Sequence, residues 1–169
     1  MPVCSRLLIG EVLMFRSLLV PVDGSEHARH ALKVACQLIL PDGVLHLLHV
    51  IEPPPIMYGL ETMGVRSPLD TFPEQQQKQE GQAIMDRMIK SMPSHQCQVD
   101  TQVLVGTPAY VIVAEAGKNG VDAIVMGSRG LSDIKGLMVG SVSHRVGYTA
   151  PCTVICVHDV PAAASQAVA

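Results

Sequence analysis

Short apolar runs alternate along this chain with stretches in which apolar residues recur every three or four positions, and that alternation restricts its fold more than any other feature. The runs are Ser17 to Val22, Val44 to Ile51, Val121 to Met126 and Cys152 to Val157. The first is apolar almost without a break, as a parallel strand buried on both faces would be. Between the runs, Ala28, Ala31, Leu32, Ala35, Leu38 and Ile39 define one helical face, begun by Ser25 as N-cap and ended at Pro41-Asp42-Gly43. Glu74 to Met92 carries a second stripe, Ile84, Met85, Met88, Ile89 and Met92, read as core. Thr107-Pro108 opens a third helix with Ala109, Ile112, Val113 and Ala116 inward, closing near Gly120. Ser141 to Tyr148 makes a short fourth helix. Gln96 to Val105 alternates strictly, as a strand near the edge of a sheet does. Strands alternating with helices require a parallel sheet with right-handed crossovers.

Composition narrows the function classes. With 48% hydrophobic residues, 3% aromatic and no Trp, the core must be aliphatic. A formal charge of -3 argues against a protein that binds nucleic acid by neutralising phosphates. No run of about 18 apolar residues exists to span a membrane, and the apolar start is broken by Arg6, Glu11 and Arg16, unlike a signal peptide. Cysteines at 4, 36, 97, 152 and 156 are odd in number and scattered, which fits a reducing cytoplasm rather than a disulfide framework. His46 and His49 fall on opposite faces of one strand, so packed, hydrogen-bonded rings are expected there rather than a metal site.

The stretch Gly127 to Ser141 follows a strand and precedes a helix. Gly127, Gly130 and Gly140 stand where a backbone could approach a ligand without a Cβ between, and Gly140-Ser141 offers free N–H groups at a helix start. An anion cradle and an ordinary flexible loop account for these glycines equally well.

Gly127-x-x-Gly130, nine further residues and Gly140-Ser141 together resemble the ATP-binding signature of the universal stress protein family. Leu18-Leu19-Val20-Pro21-Val22-Asp23-Gly24-Ser25-Glu26 resembles that family's opening strand and turn, and Leu47-Leu48-His49-Val50 its second strand. Val105-Gly106-Thr107-Pro108 resembles the third-strand exit and Pro151 to Val157 the closing strand. The departures are the thirteen residues before Met14, a segment from Pro53 to Pro73, long enough to be mobile or a flap over a ligand, and a short tail after Asp159. Residues 1–13 and 160–169 are expected to be disordered around one domain at 14–159.

The resemblance implies a three-layer α/β/α fold with a five-stranded parallel sheet in the order 3-2-1-4-5, adenine nucleotide alpha hydrolase-like and Rossmann-like. That order opens a crevice between strands 1 and 4, which Asp23 and Gly127 end. It also implies that Asp23 and the backbone of Val50 meet adenine, with Pro21 and Val22 lining its slot and Met126 and Gly127 against the ribose. Backbone N–H groups of Gly130, Gly140, Ser141 and Val142 are candidates for the phosphates of ATP carried with Mg2+, and the hydroxyls of Ser141 and Ser143 can add bonds. Asp23 could instead only cap the first helix. Arg129 could pair with a phosphate or be a solvated loop charge, and Asp133 and Lys135 read as a solvated face.

No Walker loop, no Gly-x-Gly-x-x-Gly after the first strand and no placed base occur, so the expectation is nucleotide binding with at most slow hydrolysis. The implied role is a dimeric, nucleotide-dependent switch in stress response. A slow ATP hydrolase and an adaptor that needs no nucleotide are the alternatives. The resemblance further implies a homodimer joined through Cys152 to Val157 at the sheet edge.

Overall fold

The structure, a computed structural model, describes residues 7–9, 12–53, 71–130 and 140–158, with side chains from Met14 onward and, in the helix that starts at Thr71, from Gln76 onward. In chain order the elements are β1 (Leu7–Ile9), β2 (Val12–Pro21), α1 (Glu26–Leu38), β3 (Ile39–Ile51), α2 (Thr71–Lys90), β4 (Gln98–Val105), α3 (Pro108–Asn119), β5 (Ala123–Gly127), α4 (Ser141–Thr149) and β6 (Thr153–Val157). Five of the strands run parallel in the order β4-β3-β2-β5-β6, which is the expected 3-2-1-4-5 over the five strands read from sequence. Within the front segment, β1 pairs antiparallel with Val12–Met14, at the start of β2.

Side-chain alternation sorts the core onto two faces of the sheet. Leu18, Val20, Leu45, Leu47, Ala123 and Val125 join Ala28, Ala31, Leu32 and Ala35 of α1 and Met85 and Met88 of α2 on one side. Leu19, Leu48, Ile124 and Met126 join Ala109, Ile112 and Ala116 of α3 and Val146 of α4 on the other. Three layers result, with strands that are apolar on both faces at the centre. The Met stripe of α2 is core as expected at Met85 and Met88, both fully buried, whereas Ile89 turns outward at 38% exposure. Ser25 caps α1 as expected, its hydroxyl accepting from Ala28 N–H at 3.1 Å, and Gly120 closes α3 in the left-handed region at φ 59°.

The sequence places a break at Pro41-Asp42-Gly43, but the chain passes from α1 into β3 at Ile39 without one. Phe15 pairs with Ile39 and Ser17 with Val44, so β3 spends four residues where β2 spends one. The excursion fits because Gly43 has no Cβ, which would lie 2.7 Å from the Arg16 carbonyl oxygen. Asp122 secures the same place from the other side: its carboxylate accepts from the N–H groups of Arg16 (2.9 Å) and Ser17 (3.0 Å). Pro73, read as the end of the long segment, lies in the first turn of α2, where proline removes no helical bond. Residues 54–70 of that segment, Asp133 and Lys135, and the tail expected to fray all lie outside the described residues.

Candidate functional site

At the carboxyl ends of β2 and β5 the chain leaves the sheet in opposite directions, and a cavity of about 590 Å³ opens there. That volume suits a small organic ligand. All twelve residues singled out from sequence line it: Pro21, Val22 and Asp23 after β2; Val50 from β3; Met126, Gly127, Arg129 and Gly130 after β5; and Gly140, Ser141, Val142 and Ser143 at the start of α4. The crevice inferred from strand order and the residues inferred from chemistry coincide.

One wall is made by the turn after β2. Val22 N–H donates to the Leu48 carbonyl (2.8 Å), which holds the end of β2 beside β3. His49, buried at 8% exposure, has Nδ1 2.7 Å from the Val22 carbonyl oxygen. A carbonyl only accepts, so Nδ1 carries the proton and the imidazole is fixed as that tautomer. His46, on the other face, pairs its Nδ1 with Asp100 at 3.2 Å, and among the described residues no cluster of three metal-ligating side chains occurs. The Asp23 Oδ1 accepts from Ser25 N–H at 2.9 Å, a turn that leads into α1, while Oδ2 lies where a Cβ on Gly130 would come within 2.7 Å. The cap itself is Ser25, so Asp23 shapes the turn before the helix and also faces the cavity.

The opposite wall is the start of α4. Gly140 takes the N-cap position with ordinary extended dihedrals and no side chain to cap with. The first intrahelical bond runs from His144 N–H to the Gly140 carbonyl at 3.0 Å. The N–H groups of Ser141, Val142 and Ser143 consequently have no acceptor within the helix, and the helix dipole adds partial positive charge at that point. Two sequence expectations change here. Gly140 N–H donates to the Ser128 carbonyl at 2.7 Å, so it is committed to the protein. Ser143 is buried, and its one hydroxyl proton is shared between the Ser128 (2.8 Å) and Gly140 (3.0 Å) carbonyls. These bonds clasp the two ends of the glycine-rich stretch together, which makes Ser143 a positioning residue rather than a phosphate donor.

The three glycines differ in what they accommodate. A Cβ on Gly127 would meet His27 Cβ at 2.8 Å and the backbone of His27 and Arg129 at 3.0 Å, so this glycine seats α1 against β5. At Gly130 the obstacle is the Asp23 carboxylate. Gly140 has ordinary room, its nearest neighbours lying 3.5 Å away or more, so protein packing does not require a glycine there.

Sequence reasoning did not find the third wall. Gln77, Glu80 and Ile84 of α2, with Glu52 after β3, also line the cavity. The only sequence signal of the three α2 residues was membership of an amphipathic helix whose docking angle is set by long-range packing. Gly81 permits that docking, since a Cβ there would lie 2.9 Å from Val103 and 3.0 Å from the His49 ring.

Comparison with known proteins agrees with this geometry. The model of the universal stress protein family matches residues 14–158. Universal stress protein YxiE of Bacillus subtilis is 34% identical over 147 residues, covering 85% of this chain and 99% of that protein. The solved structure of protein MJ0577, a universal stress protein of Methanocaldococcus jannaschii, superposes with a TM-score of 0.67 at 29% identity, covering 88% of this chain and 99% of that one. A universal stress protein crystallised in complex with cAMP shares the fold, with a TM-score of 0.53 at 23% identity over 86% of this chain and 98% of that one. The strand order, the coincidence of the motifs at one crevice and a family match across almost the whole described chain lead to one conclusion: this chain belongs to the universal stress protein family.

Proposed function

We propose that this protein is an adenine-nucleotide-binding stress regulator that takes ATP, with Mg2+ carried on the phosphates, and works as a homodimer switched by nucleotide without rapid turnover. One observation carries the reading. One cavity has a helix start with no side-chain cap on one side and Pro21, Val22 and Val50 with the turn-held Asp23 carboxylate on the other. The N–H groups of Ser141 and Val142 would hold phosphate oxygens, and Arg129 lies on the cavity wall where it could pair with another. Met126 and Gly127 would lie against the ribose, and Pro21, Val22, Asp23 and the backbone of Val50 would bound the base.

The dimer reading rests on β6. It is an outer strand of the sheet, it is half-exposed throughout, and Thr153 to Val157 carries no charge. Ser128 N–H donates to the Val157 carbonyl at 2.9 Å, so Val157 faces β5. By alternation Thr153 and Ile155 face it too, leaving the backbone groups of Val154 and Cys156 directed outward for a second copy. Cys36, Cys97 and Cys156 are free thiols, and no helix among the described residues is long and apolar enough to cross a membrane. These features suit the cytoplasm proposed as its compartment.

Denaturing the purified protein and identifying any released nucleotide tests the ligand, followed by calorimetry of the emptied protein with Mg-ATP, AMP and cAMP. Binding of ATP at millimolar concentration or below is expected. No heat with any of the three overturns the reading, and turnover of about 1 per second or faster would make the protein an enzyme instead.

A further inference from the structure

Tyr110 on α3 and Tyr148 on α4 are 67% and 81% exposed, whereas Phe15, the other aromatic side chain among the described residues, is fully buried. Neither tyrosine belongs to the cavity. The two helices pack on each other through Ile112, Ala116 and Val146, and their outer surface is arranged across the seam. The Arg145 guanidinium lies 5.5 Å from the centroid of the Tyr110 ring, and the His144 ring lies 5.0 Å from that of Tyr148. Each exposed tyrosine ring thus has a neighbour on α4, the Arg145 cation over Tyr110 and the His144 ring beside Tyr148. Rigid Tyr and Arg side chains lose little freedom when a partner covers them, which is why they dominate interface energetics. A Cβ on Gly147 would meet nothing within 4 Å, so the space beside Tyr148 is open.

Charge selects the partner. The chain carries -3 overall, yet Glu115 is the one acid on α3 and α4 together. It is buried at 8% exposure and held by Lys118 Nζ at 3.0 and 3.2 Å. Arg145 therefore has no acid on either helix to balance it. A second copy docked on this face would offer Arg145 no exposed acid from α3 or α4, because Glu115 is buried. A nucleic acid would need a track of cations, and the face offers one uncompensated arginine. We propose that the α3–α4 face docks an acidic, extended segment of a partner protein, its carboxylates meeting Arg145 and its ring or proline side chains lying on Tyr110 and Tyr148. This site stands apart from the cavity and does not depend on the nucleotide reading.

The test is to pan a random dodecapeptide phage library against the full chain. Enriched sequences are then synthesised and their affinities measured by fluorescence anisotropy at low and high salt. Peptides combining Asp or Glu with Tyr, Trp or Pro are expected, binding more tightly at low salt. Their affinity should fall at least tenfold in each of Tyr110→Ser, Tyr148→Ser and Arg145→Glu, exposed changes that leave the melting temperature within about 2 °C of wild type. Arg145→Lys should lose less than Arg145→Glu because it keeps the charge. The proposal is overturned if no peptide is enriched or if enriched peptides lack an acidic bias. Equal binding to the variants, or displacement of the peptides by a dT oligonucleotide at comparable concentration, overturns it as well.

Discussion

Replacing Gly140 with aspartate should raise the stability of the empty protein and lower its affinity for ATP, and the opposite signs make the substitution informative. Gly140 sits at the N-cap of α4 with φ -72° and ψ 159°, dihedrals open to any residue, and its would-be Cβ clears every neighbour by at least 3.5 Å. Nothing in the packing resists a side chain. An aspartate there can accept from the N–H groups that α4 leaves without intrahelical partners, and its charge suits the helix N-terminus. Those two effects should contribute about 0.5–1.5 kcal/mol, or roughly 1–5 °C in melting temperature for a domain of this size. The same carboxylate would occupy the donors proposed for phosphate and face its negative charge. Two unit charges about 4 Å apart at an effective dielectric near 20 repel by about 4 kcal/mol. Allowing Mg2+ and solvent to offset up to half of this leaves about 2–4 kcal/mol, so affinity should fall roughly thirtyfold to a thousandfold. Scanning calorimetry of the nucleotide-free protein and titration calorimetry with Mg-ATP read the two effects separately. ATP affinity within about threefold of wild type, a change of only ~0.7 kcal/mol, would refute the placement of phosphates at α4. A variant that melts several degrees lower would refute the account of the N-cap.

Gly127→Ala should do the reverse of Gly140→Asp, destabilising the protein by about 1–3 kcal/mol because the new methyl meets α1 at 2.8 Å; thermal melts check it. Burial first, and then the neighbouring Cys97, push the Cys36 thiol up to about 11 from an ordinary 9.0. Alkylation of native Cys36 at pH 8 should therefore run about a hundredfold slower than in the unfolded chain, as timed mass spectrometry would show. Because this pKa is higher in the folded state, the thiol favours folding below pH 9.0, and that contribution is lost as pH rises toward about 11. Val154→Pro removes an outward-facing donor of β6 and should convert a dimer into a monomer by light scattering; wild-type chains that are monomeric at micromolar concentration would sink the dimer itself.

The parts of this fold that were legible in sequence are those whose environment is uniform along an element. Leu18 to Val20 and Ala123 to Met126 are buried on both faces, so their composition alone marks them as central strands. The site was legible because strand order brings Asp23 and Gly127 to one crevice whatever the side chains do. Features decided by a single long-range contact were not legible. Pro41-Asp42-Gly43 carries every local sign of a stop, but pairing on both sides of it keeps the chain in the sheet. Gly127 and Gly140 look alike in the motif, and only the position of His27 shows that one serves helix packing while the other has room to spare. Gln77 and Glu80 reach the cavity because Gly81 lets α2 approach the sheet, a consequence of three-dimensional fit that no window of sequence contains.

The Ser143 clasp also bears on the order in which the site can assemble. It joins residues only 15 apart in sequence, so closing it restricts a short length of chain. Bringing Asp23 against Gly130 closes a loop some seven times longer, at an added entropic cost of about 1.7 kcal/mol. The wall formed by α4 can thus take shape while β2 is still distant, and the approach of Asp23 then completes the cavity. Substitutions that weaken the clasp, such as Ser143→Ala, should slow refolding as well as destabilise the folded state, whereas changes at Asp23 should act chiefly on the rate of unfolding.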